Sequence, residues 1–313
     1  MENTARNIYL SSINRVIDAI HANLDAPLTL GELSRVAGFS PFHFHRIFKA
    51  FTGETLNGYI QRARLERAAG LLAYGNENVL QVGLACGFTN AAAFTRAFKT
   101  HFGVSPSHYR SNFRKMSKAD RKQGKETNNV VAYNGDYQYP INEERRTPMN
   151  VELKDFPGLH LACIRHMQGY SKGVHNPEIG AAFGRVCQWA GARNLFRPET
   201  LVIGIAHDDP AITPNDRCRY DACVTIPAEV TQGSGEVFIQ DLPAGRYACV
   251  LIDIPSSQTE KIGQAVDWLY GEWLPDSGFT GDDHPPLEIY HEVEGKQPGE
   301  WIRMEFCLPV RPV

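Results

Sequence analysis

At 313 residues the chain can form two or three domains with cores of their own, and its 42% hydrophobic and 21% charged content is ordinary for a globular protein. No apolar run reaches the roughly 20 residues of a bilayer span. The start "MENTARNIYL" lacks a signal peptide's basic head and apolar middle, and the seven cysteines include no C-x-x-C pair. These features argue against a membrane protein, a secreted disulfide scaffold and a zinc module, and predict reduced, buried thiols in a cytoplasmic protein. The net charge of −3 hides a split: residues 1–125 hold 17 Lys and Arg against 8 Asp and Glu, a net of +9, and the remainder is −12. A basic first part predicts an anionic polymer as its partner.

The first periodic segment places Leu10, Ile13, Ile17 and Ile20 on one helix face. Thr29 and Glu32 form the capping box of a second helix, predicted to bury Leu30, Leu33 and Val36 before "AGFS" ends it at Gly38. Ser40 caps a third helix with Pro41 in its first turn. Phe44, Ile47, Phe48 and Phe51 form its buried stripe, which leaves Phe42, His45, Arg46 and Lys49 on the opposite side. A helix, a short glycine turn and a second helix with such a face describe a helix-turn-helix.

The layout then recurs. In "VLQVGLACGFTNAAAFTRAFKTHFG", Gly87-Phe88-Thr89 stands for Gly38-Phe39-Ser40, and Phe94, Arg96, Phe98, Lys99 and Gly103 stand for Phe44, Arg46, Phe48, Lys49 and Gly53. Between the copies, residues 55–74 read as one continuous helix. Twenty residues span roughly 30 Å, close to the about 34 Å between successive major-groove faces of B-DNA. Two reading heads on such a rod suit one face of a duplex.

Residues 7–110 resemble the DNA-binding domain of AraC-type transcription regulators, near the multidrug-response branch. The carrying stretches are "LTLGELSRVAGFSPFHFHRIFKAFTG", "YIQRARLERAAGLL" and "LACGFTNAAAFTRAFKTHFGVSPSHYR". The resemblance implies that Phe42, His45 and Arg46 read bases in the first motif, and that Ala91, Ala92, Ala93 and Arg96 occupy the reading positions of the second. Three alanines offer only apolar contact, as with thymine methyls, so Arg96 is the main polar reader there. Lys49 and Lys99 are assigned to phosphates. The family also implies RNA polymerase as a partner, binding as a monomer, and a cytoplasmic, nucleoid-associated location.

A polar stretch, residues 113–148, reads as a linker between a domain at 7–112 and another at 149–313. The second domain is itself duplicated. "VELKDFPGLHLAC" and "VFIQDLPAGRYAC" align at a constant separation of 86, and each copy continues through a helix ("IGAAF", "IGQAV") and two strands. Each half reads as strand–helix–strand–strand, which predicts a pseudo-twofold α+β domain with helices on one face of the sheet and a groove on the other. In "PLEIYHEV", Leu287 and Ile289 are expected to pack on the helices, and Glu288 and Tyr290 to point into the groove. Trp273, in "DWLYGEWLP", is the third candidate wall. A carboxylate among aromatic rings attracts organic cations.

This half resembles GyrI-like effector-binding domains through "RYDACVTIP", "LPAGRYACV", "YGEWLPDSGF" and "PLEIY". The resemblance places Glu288 in the pocket against cationic amphipathic ligands, with Tyr290 and Trp273 as aromatic walls. The fold class expected is therefore multidomain: an all-α double helix-turn-helix domain, then an α+β pseudo-twofold GyrI-like domain. The function expected is a DNA-binding transcription regulator, an activator responding to a small molecule, with no cofactor, no metal and no catalytic residues. The alternative is a hydrolase of reactive xenobiotics with Glu288 as general base and Tyr290 as its partner. His207-Asp208-Asp209 and Asp282-Asp283-His284 read as solvated turns rather than metal clusters.

Overall fold

The computed structural model describes residues 4–113, 149–170, 176–209, 212–282, 284–293, 295 and 299–313, apart from the side chains of residues 4–8, Phe42 and Pro275. The chain divides into two compact units, Met1–Ile141 and Asn142–Val313. The stretch expected to link them lies outside the described residues from 114 to 148, and Phe113 still belongs to a helix. No helix among the described residues is long and apolar enough to cross a membrane.

The first unit is all helical: α1 (Thr4–Ala22), α2 (Leu30–Ala37), α3 (Pro41–Thr52), α4 (Leu56–Tyr74), α5 (Val79–Ala85), α6 (Ala91–Phe102) and α7 (106–113). The capping box at Thr29 forms, and Gly38 closes α2 at φ +76°, a left-handed conformation that costs glycine nothing. Phe44, Phe48, Phe94 and Phe98 are fully buried, so the aromatic stripes of α3 and α6 are the cores of the two motifs. Two expectations are corrected. In α2, Leu33, Ser34 and Ala37 are buried, whereas Leu30 and Val36 are 38% and 41% exposed. An eight-residue helix has room for a single narrow contact line, and that line runs through positions 33 and 37. In the second motif the cap is Asn90, not Thr89: its side chain accepts from the Ala93 N–H at 2.8 Å, so the stretch from the turn glycine to the cap is one residue longer than in the first.

Helix α4 is unbroken from its Thr55 cap to Tyr74, about 28 Å at 1.5 Å per residue. It is the shared wall of both motifs, with Leu56, Tyr59, Ile60, Ala63, Leu65, Ala68, Ala69 and Leu72 all buried. Two arginines lock it. Arg62 donates to Glu54, in the turn after α3, at 2.8 Å, and to Glu66 at 2.9 Å; all three side chains are nearly buried. Burial works against the Arg62 charge, but the two carboxylates outweigh it and hold its pKa above the usual value. Arg64 donates to the Leu24 and Ala26 carbonyls at 2.9 and 2.7 Å, fixing the α1–α2 connection. Its guanidinium also abuts Gly87, where any Cβ would collide with it and with the Leu24 carbonyl. Gly87 is therefore required for close approach as well as for its positive φ.

The second unit is a mainly antiparallel sheet with two helices. Its elements are β1 (Val151–Phe156), β2 (Leu159–His166), α8 (Pro177–Gly191), β3 (Val202–Ala206), β4 (Tyr220–Thr225), β5 (Phe238–Leu242), β6 (Gly245–Pro255), α9 (Glu260–Trp268), β7 (Phe279–Gly281), β8 (Leu287–Tyr290) and β9 (Trp301–Pro312). The strand order β1-β6-β9-β8-β3-β4-β2-β5 reads as two copies of one pattern meeting at the β3–β8 pair, with β7 added beside β9. This is the pseudo-twofold expected from the 86-residue repeat. The halves differ from the expected strand–helix–strand–strand, because "VELKDFPGLHLAC" and its copy each hold two strands. Pro157 and Pro243 lack the N–H a ladder needs, and at each break the chain changes partner. β1 joins β6 of the other half, and β5 joins β2.

Both helices cover one face of the sheet. Ala182, Val186 and Ala190 of α8 pack on Ala162, Ile164, Ala222 and Val224. Ala265 and Trp268 of α9 pack on Val250, Met304, Phe306 and Leu308. The other face carries a third cluster built from strands, including Ile203, Cys223, Tyr247, Leu287 and Ile289. This reverses the orientation expected for β8: Leu287 and Ile289 pack away from the helices, and Glu288 and Tyr290 lie on the helix side, opposite Phe306 and Met304 of β9.

Candidate functional site

The first candidate site, a surface for nucleic acid, is the pair of exposed faces on α3 and α6. Ser40 and Asn90 cap their N-termini, and the buried phenylalanines fix which side faces out. On α3, His45, Arg46 and Lys49 are exposed, and Lys49 follows Arg46 by three residues and His45 by four, which puts it on the same face as both. Phe42 falls in line with them, but its side chain lies outside the described residues. On α6, Ala91, Ala92 and Ala93 are exposed in the first turn, followed by exposed Arg96 and Lys99. The two heads are unequal: the first offers an imidazole and a guanidinium, the second methyl groups and one guanidinium. Lys49, Lys99 and His101 stand in the last turns, where cations complement the carbonyl end of a helix.

The second candidate site lies at the junction of the sheet's two halves. Glu288 pairs in register with Gly204 of β3. Its carboxylate accepts hydrogen bonds from the Tyr220 hydroxyl at 2.5 Å and the Tyr290 hydroxyl at 2.8 Å. A Cβ at position 204 would sit 1.7 Å from the Tyr220 oxygen and 3.1 Å from Glu288, so glycine there makes room for the phenol. Phe183, from α8, stacks edge-on against Tyr290 at 5.1 Å and Tyr220 at 6.1 Å, and Tyr170 reaches Tyr220 at 6.2 Å. Burial raises the pKa of both Tyr220 and Tyr290 well above the usual phenol range, and the Glu288 charge raises it further. The two phenols therefore stay protonated and act as donors.

The structure thus brings Glu288 and Tyr290 together. Trp273 stands apart from them, on a π-helical turn (Leu269–Trp273) after α9, and stacks on Phe279 at 6.3 Å. It borders the same α9-side cluster as Tyr290. Tyr220, Phe183 and Tyr170 are additions that the sequence reading missed. Alternation in "RYDACVTIP" puts Tyr220 on the face of Ala222 and Val224, but only the β8–β3–β4 pairing shows that this face holds Glu288. A separate depression of about 250 Å³ between β6 and α9, lined by residues such as Ile252, Lys261 and Gln264, shares no residue with this cluster.

The first of the two acidic loop motifs differs from expectation. His207 donates from Nε2 to Asp221 at 2.8 Å, and Asp208 takes the Arg219 guanidinium through both oxygens at 2.7 and 2.8 Å. The Asp208–Arg219 ion pair and the His207–Asp221 hydrogen bond fix this loop, which is therefore not a solvated turn. Asp221 is fully buried; burial opposes its ionisation, but Arg165 and His207 outweigh that and hold the carboxyl well below its usual range. Asp282 lies 3.4 Å from Arg311, and Asp283 is outside the described residues. Cys163 and Cys223, directly opposite on β2 and β4, form a disulfide, which corrects the expectation of reduced thiols at that pair.

Residues 33–112 match a helix-turn-helix domain family, and residues 149–311 match the GyrI-like small molecule binding domain family. The transcriptional regulator Rob of Salmonella typhimurium is 36% identical over 307 residues, which cover 93% of this chain and 95% of Rob. The multiple antibiotic resistance protein MarA of Escherichia coli is 36% identical over 105 residues, 34% of this chain and 83% of MarA. Among solved structures, the DNA-binding domain of AdpA in complex with a target DNA is 28% identical and covers 36% of this chain and 97% of that chain, with a TM-score of 0.33. The chain belongs to the AraC-type, DNA-binding transcription regulators that carry a C-terminal GyrI-like domain.

Proposed function

We propose that this regulator is an activator that reads an asymmetric operator as a monomer and answers to a cationic, amphipathic small molecule. The observation that carries the reading is the pair of cationic recognition faces held on one unbroken helix, α4. Residues 7–112 form the DNA-binding domain, 113–148 the linker and 149–313 the effector domain. The first head supplies most base discrimination through His45, Arg46 and Phe42. Arg96 and thymine-methyl contacts from Ala91, Ala92 and Ala93 supply the rest, and Lys49 and Lys99 hold phosphates. RNA polymerase is the partner at the promoter, and the cytoplasmic nucleoid is the working location.

In the effector domain Glu288 supplies the negative charge, and Tyr220, Tyr290, Phe183 and Tyr170 the aromatic surround. Trp273 belongs to the outer wall. The reading is of a binding site and not a catalytic one, because the Glu288 carboxylate is engaged by two phenols whose raised pKa values make them poor acids that keep their protons. The test is selection of genomic fragments with the purified protein, repeated with a library of organic cations. A recurrent asymmetric site whose occupancy or transcription changes with a cation supports the reading. Recovery of fragments without a shared sequence, or indifference to every cation, contradicts it.

The two classes of DNA contact separate in one experiment. Arg46→Ala should cost about 1–3 kcal/mol at the cognate site and relax the preference at one base position. Lys99→Ala should weaken all sequences alike and reduce the salt slope by about 1. Fluorescence anisotropy on cognate and scrambled duplexes at several salt concentrations measures both.

A further inference from the structure

The pseudo-twofold relates two constellations on the face of the sheet away from the helices. In the first half, Cys163 lies opposite Cys223, and Arg165 opposite Asp221, across β2 and β4. In the second half, Cys249 lies opposite Cys307, and Leu251 opposite Glu305, across β6 and β9. His207 beside Asp221 has its counterpart in His291 beside Glu305, and Gln240 of β5 in Lys154 of β1.

The halves have diverged in chemistry. The first is closed: its cysteines are bonded to each other, and Arg165 grips both Asp221 oxygens at 2.7 Å with both side chains fully buried. The second is open. Cys249 and Cys307 are free thiols, and a leucine stands where the guanidinium would be. Glu305 is met instead by Lys154 at 2.7 Å and by His291 Nε2 at 3.4 Å. The two sulfurs and a Glu305 oxygen lie within 4.8 Å of one another. Tetrahedral ligands at zinc distances of 2.0–2.3 Å stand roughly 3.3–3.8 Å apart, so a small contraction closes this set around an ion.

We propose that Cys249, Cys307 and Glu305, with His291 as the fourth ligand, form a binding site for a zinc-class divalent cation. Two thiolates, an imidazole and a carboxylate are the donors such an ion prefers. The set has a rigid side and an open side: the sulfurs are buried on paired strands, whereas the His291 side chain is 37% exposed and gives access. His291 is held against β9 by its backbone N–H, which donates to the Arg303 carbonyl at 2.9 Å. Lys154 must release Glu305 to the ion, and Glu152, 3.4 Å from its ammonium and largely exposed, is a second carboxylate to receive it. The ion would staple β6 to β9, the pair at the centre of the second half.

The test is cobalt titration of the full-length, tag-free, freshly reduced protein, followed by zinc displacement. The expected result is a single cobalt per chain with tetrahedral visible bands and near-ultraviolet thiolate-to-cobalt absorption, displaced by zinc. Cys307→Ser and Cys249→Ser should abolish the thiolate absorption, and Glu305→Gln, which preserves the side-chain shape, should weaken binding. Cys187→Ser, a change on α8, should leave it intact, and far-ultraviolet dichroism confirms that each variant folds. Absence of binding, binding without thiolate absorption, or mass spectrometry showing a Cys249–Cys307 disulfide in the protein as isolated would each overturn the proposal.

Discussion

Replacing Arg62 by alanine is expected to destabilise the DNA-binding unit by about 3–5 kcal/mol, the range for breaking a buried ion pair from one side. The loss takes the Arg62 cation from the Glu54 and Glu66 carboxylates, which are 14% and 8% exposed. It also removes the guanidinium from the Tyr59 ring, 4.9 Å away. The functional consequence follows from position: Glu54 is the residue after Gly53, which ends α3, so Arg62 ties the first recognition helix to the central rod. DNA affinity should therefore fall more at the base positions read from α3 than at those read from α6. Urea unfolding of the variant, with binding to operators altered at one half at a time, measures both effects. The triple variant Arg62→Met, Glu54→Gln, Glu66→Gln should recover most of the lost stability, because no unpaired charge remains. A loss under about 1 kcal/mol for Arg62→Ala would make the triad no more than a surface ion pair.

Glu288→Gln is expected to lower affinity for a hydrophobic organic cation by about 2 kcal/mol, roughly 30-fold, and to leave a neutral ligand of the same shape nearly unaffected. Glutamine keeps the shape of the side chain and an oxygen to accept from Tyr220, so the change isolates the charge. Calorimetric titration against wild type and variant is the direct measurement. Equal affinities for the cation would remove Glu288 from the site and leave the ring cluster of Phe183, Tyr220 and Tyr290 as a plain core contact.

The sequence was most informative where local rules and packing agree. The phenylalanines four residues apart, the Thr29 capping box and the continuous α4 are all set by neighbours within one turn and match the expectation, although Ile47 and Phe51 of the first stripe are only half-buried. It misled where the decision belongs to distant partners. Strand alternation shows that Glu288 and Tyr290 share a face but not which face the helices cover, and the two were assigned in reverse. The prolines at 157 and 243 mark breaks that the repeat alignment ran through, so the exchange of β1 and β5 between halves stayed hidden. Tyr220 and the paired cysteines escaped notice for the same reason: each meets its partner across a strand ladder, not along the chain.

The central proposal is that one unbroken helix, α4, holds two unequal reading heads about a turn of DNA apart. Hydroxyl-radical footprinting and base-methylation interference on a selected operator, at one protein per duplex, test this directly. The predicted result is two protected major-groove segments on the same face of the duplex, about 34 Å apart, with stronger base interference in the segment bound by α3. Protection confined to one major-groove segment would contradict it.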